Sequence, residues 1–266
     1  MSGVIRLEYR SVTMRFGQSP GAALTAVQDV SLALSNGEVV SLIGPSGCGK
    51  STLLNIGSGL YAPSEGDAFV DGERVEGPNA HVAFMLQKDL LLPWRTIAEN
   101  VAFGVEIQGV AAAERKRRAQ ALLESFKLAE FSGHYPHQLS GGMRQRIALA
   151  RTLAIDPTVL LLDEPFSAVD AQTRMVLQRE LAQTLKRAGK TALLITHDLL
   201  EAVTLSDRVL VMSRRPGRII DEIAIDIPGR DDPLARRNHP RVNDIINRLM
   251  DRLDIGTPGE ATGVTA

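Results

Sequence analysis

The stretch Val39-Val40-Ser41-Leu42-Ile43-Gly44-Pro45-Ser46-Gly47-Cys48-Gly49-Lys50-Ser51-Thr52-Leu53-Leu54-Asn55 decides how this chain is read. A short apolar strand runs into a glycine-rich turn and then into helix formers, which is the context a phosphate-binding loop requires. The glycines let the backbone wrap a phosphate at close range with its N–H groups pointing inward, and the helix N-terminus adds roughly half a positive charge. In that setting Lys50 can neutralise the β- and γ-phosphates of a nucleotide, and Ser51 can ligate Mg²⁺. The plainer alternative is a glycine turn joining a strand to a helix; the match in residues and in context weighs against it. Cys48 reads as a small buried residue, not a nucleophile, because no base stands beside it in sequence.

More than a hundred residues on, Val159-Leu160-Leu161-Leu162 runs into Asp163-Glu164. A buried strand ending in two adjacent carboxylates sends one toward each side of the strand tip, so the two can take different tasks. Asp163 suits the Mg²⁺ shell, through water or Ser51, and Glu164 suits polarising a water that attacks the γ-phosphate. Alone, such a pair would be a solvated strand end; after a phosphate loop it reads as chemistry. Between these two signals lies Leu139-Ser140-Gly141-Gly142-Met143-Arg144-Gln145-Arg146, followed by the helical Ile147 to Leu153. A Ser-Gly-Gly turn at a helix start is a second anion cradle, with free N–H groups, the Ser140 hydroxyl and the helix dipole aligned. One nucleotide has one triphosphate tail, so the second cradle needs a reason.

Composition sets the frame around these motifs. With 266 residues and 44% hydrophobic content the chain can bury a substantial core, and 30 basic against 31 acidic residues give a formal charge of −1. No global field of the kind that holds a protein on nucleic acid or anionic lipid results. Cys48 is the only cysteine, so no intramolecular disulfide forms, and the N-terminus shows no secretory pattern; the chain is expected in the cytosol. Apolar runs such as Val159 to Leu162 are strand-length, far short of the ~20 residues that cross a bilayer.

Strand patterns are expected at Ile5 to Tyr9, Val30 to Leu34 and Val39 to Ile43, with turn formers such as Asn36-Gly37 between them. From about Ile97 to Arg151 the spacing turns helical, with amphipathic positions at Ala121, Leu122, Phe126 and Leu128, so a helical subdomain is inserted there. Buried-strand runs return at Val159 to Leu162 and Ala192 to Ile195, around a helix from about Thr173 to Arg187. Strands alternating with helices imply a mainly parallel sheet covered on both faces. Beyond Pro228 a helix is expected near Val242 to Leu253, then a disordered tail through Gly256-Thr257-Pro258-Gly259.

Taken in order, these motifs resemble the ATP-binding subunit of ABC transporters, whose signature reads Leu-Ser-Gly-Gly-Gln or a close variant; Met143 stands here in place of the glutamine. The resemblance covers about residues 5 to 225 and implies a P-loop NTPase (RecA-like) α/β fold. Its mainly parallel core sheet would carry an N-terminal antiparallel β subdomain and an inserted helical subdomain at about residues 90–155. The ATPase domain is expected over 1–228, with a short C-terminal helix and flexible tail over 229–266. By the same resemblance Gln87 falls where the Q-loop glutamine touches Mg²⁺ and the water, and His197 resembles the switch histidine that contacts the γ-phosphate. Ser167-Ala168-Val169-Asp170 resembles the D-loop, with Val169 where leucine is usual. Phe16 is similar in placement to the aromatic that stacks on adenine, although a core phenylalanine remains the alternative and Gln18 to Ala23 looks like a short insertion just after it. Gly57-Ser58-Gly59 is more flexible than the bulkier family pattern.

The implied site therefore holds ATP with Phe16, the loop Gly44, Pro45, Ser46, Gly47, Cys48, Gly49, Lys50, Ser51 and Thr52, together with Gln87, Ser140, Gly141, Gly142 and Asp170. Ser51, Gln87 and Asp163 would hold Mg²⁺, and Glu164, His197 and Lys50 would be catalytic. The implied partners are a second copy in a head-to-tail ATP sandwich, transmembrane permease subunits and, indirectly, a substrate-binding protein, at the cytoplasmic face of the membrane. Leu91-Leu92-Pro93-Trp94-Arg95-Thr96 and Ser213-Arg214-Arg215-Pro216-Gly217-Arg218-Ile219 look like the importer branch that handles nitrate, taurine and other sulfonates. Trp94 and Arg95 suit a permease anchor, against a partly buried Trp94 as the alternative. For Arg214 to Arg218 a solvated turn is the favoured reading. The rival is a non-transport ABC ATPase acting on nucleic acid or the ribosome; the short Gln87 to Leu139 interval and single cysteine do not fit the coiled coils or cysteine clusters of the nucleic-acid type, and a translation factor would look like two such cassettes joined where this sequence has one. Arg115-Lys116-Arg117-Arg118 reads as a solvated face beside Glu114, so no nucleic-acid partner is expected.

Overall fold

The structure, a computed structural model, describes residues 3–17 and 23–253. Most of the insertion read after Phe16 and the tail expected to be disordered lie outside the described residues. Two sheets organise the molecule. Strands β1 (Ile5–Phe16), β2 (Leu24–Ser35), β4 (Glu65–Val70) and β5 (Glu73–Arg74) form an antiparallel sheet in the order β2-β1-β4-β5. The second sheet has the order β10-β9-β3-β8-β7-β6, built from β3 (Val39–Ile43), β6 (Val82–Met85), β7 (Val159–Asp163), β8 (Thr191–Ile195), β9 (Arg208–Met212) and β10 (Ile219–Ala224). Its neighbours pair in parallel except β10, which runs antiparallel along β9. This is the P-loop NTPase architecture.

The sequence explains the layering. β3 and β8 are buried at every position, because both faces of the sheet are covered, and a continuous apolar run is the pattern such a strand needs. One face carries α2 (Ile97–Ile107), α3 (Ala112–Ser125), α4 (Gly141–Ala154) and α5 (Ala171–Ala188) around a core that includes Val101, Leu123, Ile147, Leu160 and Leu181. The other face packs α1 (Lys50–Gly57) and the antiparallel sheet on Val40, Leu42, Leu161 and Leu193. α6 (Leu199–Leu205), α7 (Pro233–Arg237) and α8 (Arg241–Arg252) close the end beside β9 and β10, where Val242, Ile245 and Leu249 meet Ile43, Val203 and Val211.

One local expectation changes. Of the amphipathic positions expected around α3, Leu122, Phe126 and Leu128 pack inward but Ala121 faces solvent, its place taken by Ala119 and Leu123 as the helix packs against α2 and α4. α1 continues through Gly57 despite the glycines. There the hydroxyl of Tyr9 from β1 fills the space a side chain would take and donates to the Leu53 carbonyl at 2.8 Å.

Candidate functional site

The carboxyl ends of the parallel strands gather the chemistry, as expected for an open α/β sheet. β3 ends in the glycine loop, and α1 begins at Lys50 with Gly49 just before it. Gly47 and Gly49 have φ of 74° and 105°, a region side-chain-bearing residues seldom adopt, so the loop's path needs glycine at both places. Ser46, Gly47, Gly49, Lys50, Ser51 and Thr52 line a cavity of about 420 Å³ whose far wall is Phe16, Leu24 and Ala26. Phe16 is thus a partly exposed cavity wall, not a core residue, and its ring meets Tyr61 edge-on at 5.9 Å. Lys50 is buried, its Nζ donating to the Gly44 and Pro45 carbonyls at 2.8 and 3.0 Å. Cys48 is buried under the loop.

β7 delivers the two carboxylates to different places. Asp163 receives the Ser51 hydroxyl; burial, reinforced by the charge of Glu164, pushes its carboxyl above the ordinary value, with Ser51 and Lys50 pulling the other way. A hydroxyl and a carboxylate held together are hard oxygen donors of the kind Mg²⁺ takes, and two such ligands leave room for phosphate oxygens and water. Glu164 lines the cavity. Its Oε2 accepts from Gln87 Nε2 at 3.0 Å and lies 3.3 Å from His197 Nδ1. Gln87 follows β6, Glu164 follows β7 and His197 follows β8, so three neighbouring strand ends converge on one carboxylate.

Other expected site residues stay apart from this cavity in the single chain. The Ser140-Gly141-Gly142 turn is absent from its lining; Ser140 caps α4, its Oγ accepting the Met143 N–H at 3.3 Å. Asp170 caps α5 in the same manner through Thr173. Trp94 is 72% exposed, which excludes the core reading, while Arg95 turns back to pair with Glu106 and to lie over the Phe103 ring at 4.9 Å.

Two features escaped the sequence. Arg215, read as part of a solvated turn, lines the cavity and donates to the Gly47 carbonyl. Behind His197, Glu201 of α6 is 5% exposed and bonded to Thr196 and Gln178, with Oε1 left without a partner. A glutamate four residues after His197 was the only local sign, and its partner Gln178 comes from α5.

A family profile described as ABC transporter matches residues 27–167. Among curated relatives, an uncharacterized ABC transporter ATP-binding protein of Methanocaldococcus jannaschii is 44% identical over 249 residues, 94% of this chain and 93% of the relative. The taurine import ATP-binding protein TauB of Roseobacter denitrificans is 42% identical over 92% of this chain and 94% of its own length. TauB of Burkholderia pseudomallei is 44% identical over 87% and 90%. Among solved structures, the dimeric post-hydrolysis state of the ATP-binding cassette MJ0796 bound to ADP and Pi matches with a TM-score of 0.73 at 31% identity, covering 82% of this chain and 98% of that one.

Proposed function

The chain belongs to the ABC transporter family as an ATP-binding, ATP-hydrolysing subunit, and from that premise we propose that it energises an importer of a small solute of the nitrate, taurine or sulfonate type through a separate permease. The observation that carries the chemistry is the convergence of Gln87, Glu164 and His197 at the mouth of the phosphate loop. In the proposed reaction the loop amides and Lys50 hold the β- and γ-phosphates while Glu164 orients and polarises the attacking water. His197 steadies the γ-phosphate from the neighbouring strand end, and Gln87 ties the helical unit to the same carboxylate. Ser51, Asp163 and Gln87 would hold Mg²⁺, which would supply charge neutralisation to the bound phosphates.

The second cradle, Ser140 to Gly142, has its reason in a two-fold pair: each copy would cover the nucleotide bound by the other. TauB relatives favour import, and the exposed Trp94 on the loop Leu91 to Thr96 suits docking of a permease helix at the cytoplasmic face, with a substrate-binding protein as the indirect partner. Among the described residues no helix is long and apolar enough to cross a membrane, so the proposed attachment is peripheral. Arg117 and Arg118 both pair with Glu114, which supports reading the basic stretch Arg115 to Arg118 as a solvated face.

Glu164→Gln tests the mechanism. The amide keeps shape and reach but loses the charge that polarises water, so turnover of Mg-ATP is expected to fall at least about a hundredfold while ATP still binds. Size-exclusion chromatography of that variant with ATP should show a dimer accumulating. Wild-type turnover, or a monomer at saturating ATP, would reject the reading.

A further inference from the structure

The turn between β9 and β10 is fastened on two sides. Arg218 Nη2 donates to the Gln28 side chain at 2.7 Å, the Gly217 N–H donates to the Ala26 carbonyl at 2.9 Å, and the Gln28 N–H returns a bond to the Gly217 carbonyl at 2.9 Å. On the other side the turn touches the phosphate loop itself. A Cβ on Gly217 would fall 2.0 Å from the Cys48 carbonyl oxygen, so only glycine permits this backbone approach. From that platform Arg215 reaches over the loop, and its Nε and Nη2 donate to the Gly47 carbonyl at 3.1 and 2.9 Å. Among the described residues no carboxylate pairs with it, and its guanidinium lines the same cavity as Lys50, Ser51 and Phe16.

We propose that Arg215 is a phosphate-affinity residue of the nucleotide site, holding Gly47 from the outer side of the loop and adding a permanent positive charge to the cavity that takes nucleoside di- and triphosphates. The inference rests on the nucleotide reading above. Guanidinium carries five donors in a rigid fork. Two N–H groups on Gly47 leave three to meet a phosphate or its ordered water. Gly47 has no side chain and a left-handed backbone, so an external tie at its carbonyl limits the loop's freedom before nucleotide arrives, which lowers the ordering cost of binding. The chemistry of hydrolysis, carried by Lys50 and Glu164, is left intact.

The experiment compares wild type, Arg215→Ala, Arg215→Lys and Arg215→Gln with fluorescent mant-ATP, mant-ADP and mant-adenosine, alongside steady-state turnover. Arg215→Ala is expected to weaken mant-ATP and mant-ADP about tenfold, the size of one lost charge-assisted hydrogen bond, leaving mant-adenosine unchanged. KM for ATP should rise with kcat within about twofold, and Lys should restore part of the affinity that Gln does not, because it returns the charge without the fork. Unchanged affinity for mant-ATP overturns the proposal. So does an equal loss for mant-adenosine with a lowered melting temperature, which would mark a purely structural turn. Should Arg215→Ala fail to fold, the Lys and Gln variants decide: equal affinity for mant-ATP overturns the proposal. A wild type that binds no mant-ATP would reject the nucleotide reading instead.

Discussion

At Glu164 the backbone enters the left-handed region, φ 45°, directly after β7 ends. A non-glycine residue there costs on the order of 1 kcal/mol. The Glu164 N–H donates to the Ile195 carbonyl at 3.0 Å and its own carbonyl receives Ser167, so the neighbouring strand end and the following turn hold the conformation. Glu201, one layer behind, is held differently. Burial, then the charge of Asp198, pushes its carboxyl up to about 8, and Thr196, Arg174 and Gln178 only partly oppose them. The folded chain thus keeps a proton that the unfolded chain releases near pH 4.3. Its contribution to stability is fully present below that pH and is lost progressively as pH rises through about 8. Glu201→Gln fixes the neutral form, so its melting temperature relative to wild type should climb between pH 5 and pH 8.5. An offset that is the same at both pH values would refute this. Lys50, Ser51, Asp163 and Glu164 were legible because their spacing is local to one loop and one strand end. Arg215 was not: its acceptor Gly47 lies 168 positions away, and a basic turn looks the same whether solvated or docked.

Among the elements, α2 shows how a short helix displays a loop. Thr96 and Glu99 form a reciprocal capping box at its start. One turn on, fully buried Asn100 accepts the Leu92 N–H at 2.7 Å, and its two amide N–H groups are shared among the carbonyls of Leu92, Arg95 and Thr96 at 3.0 to 3.1 Å. This side chain therefore fixes the loop that presents Trp94. Asn100→Ala should cost roughly 1–3 kcal/mol for the buried groups left unpaired, and more for the loop than for the protein. Basal ATPase of the isolated chain should stay near wild type, while limited proteolysis should cut at residues 91–96 much faster. Unchanged cleavage there would count against the role. The continuous apolar runs of β3, β7 and β8 were readable in the sequence, as was α8, whose Val242, Ile245 and Leu249 repeat at helical spacing. In α3 and the turn after it Leu122, Phe126 and Leu128 pack inward as read, and only Ala121 was misplaced, since Ala121, Leu122 and Leu123 are adjacent and packing chooses among them.

For the molecule as a whole, the C-terminal helices are part of the fold's closure. Arg236 is buried and donates to the carbonyls of Thr204, Ser206 and Ile225, binding α7 to the end of α6 and the far side of β10. Val242, Ile245 and Leu249 cover Ile43, Val203 and Val211, at roughly 1.5–3 kcal/mol for each side chain returned to water. A chain ended after Pro228 should melt about 10 °C or more below the full protein, or aggregate. Equal melting temperatures would show those helices to be accessory. The two sheets are joined at another place, where Tyr9 leaves the antiparallel layer to occupy the room beside Gly57 on α1. A methyl on residue 57 would fall 2.1 Å from the Tyr9 oxygen but 3.1 Å from the ring carbon that bears it. A larger residue 57 is therefore viable once tyrosine has become phenylalanine or smaller, and scarcely before. The two positions, 48 apart in sequence, are thus sterically coupled: Gly57→Ala should be tolerated better beside Tyr9→Phe than beside the native tyrosine.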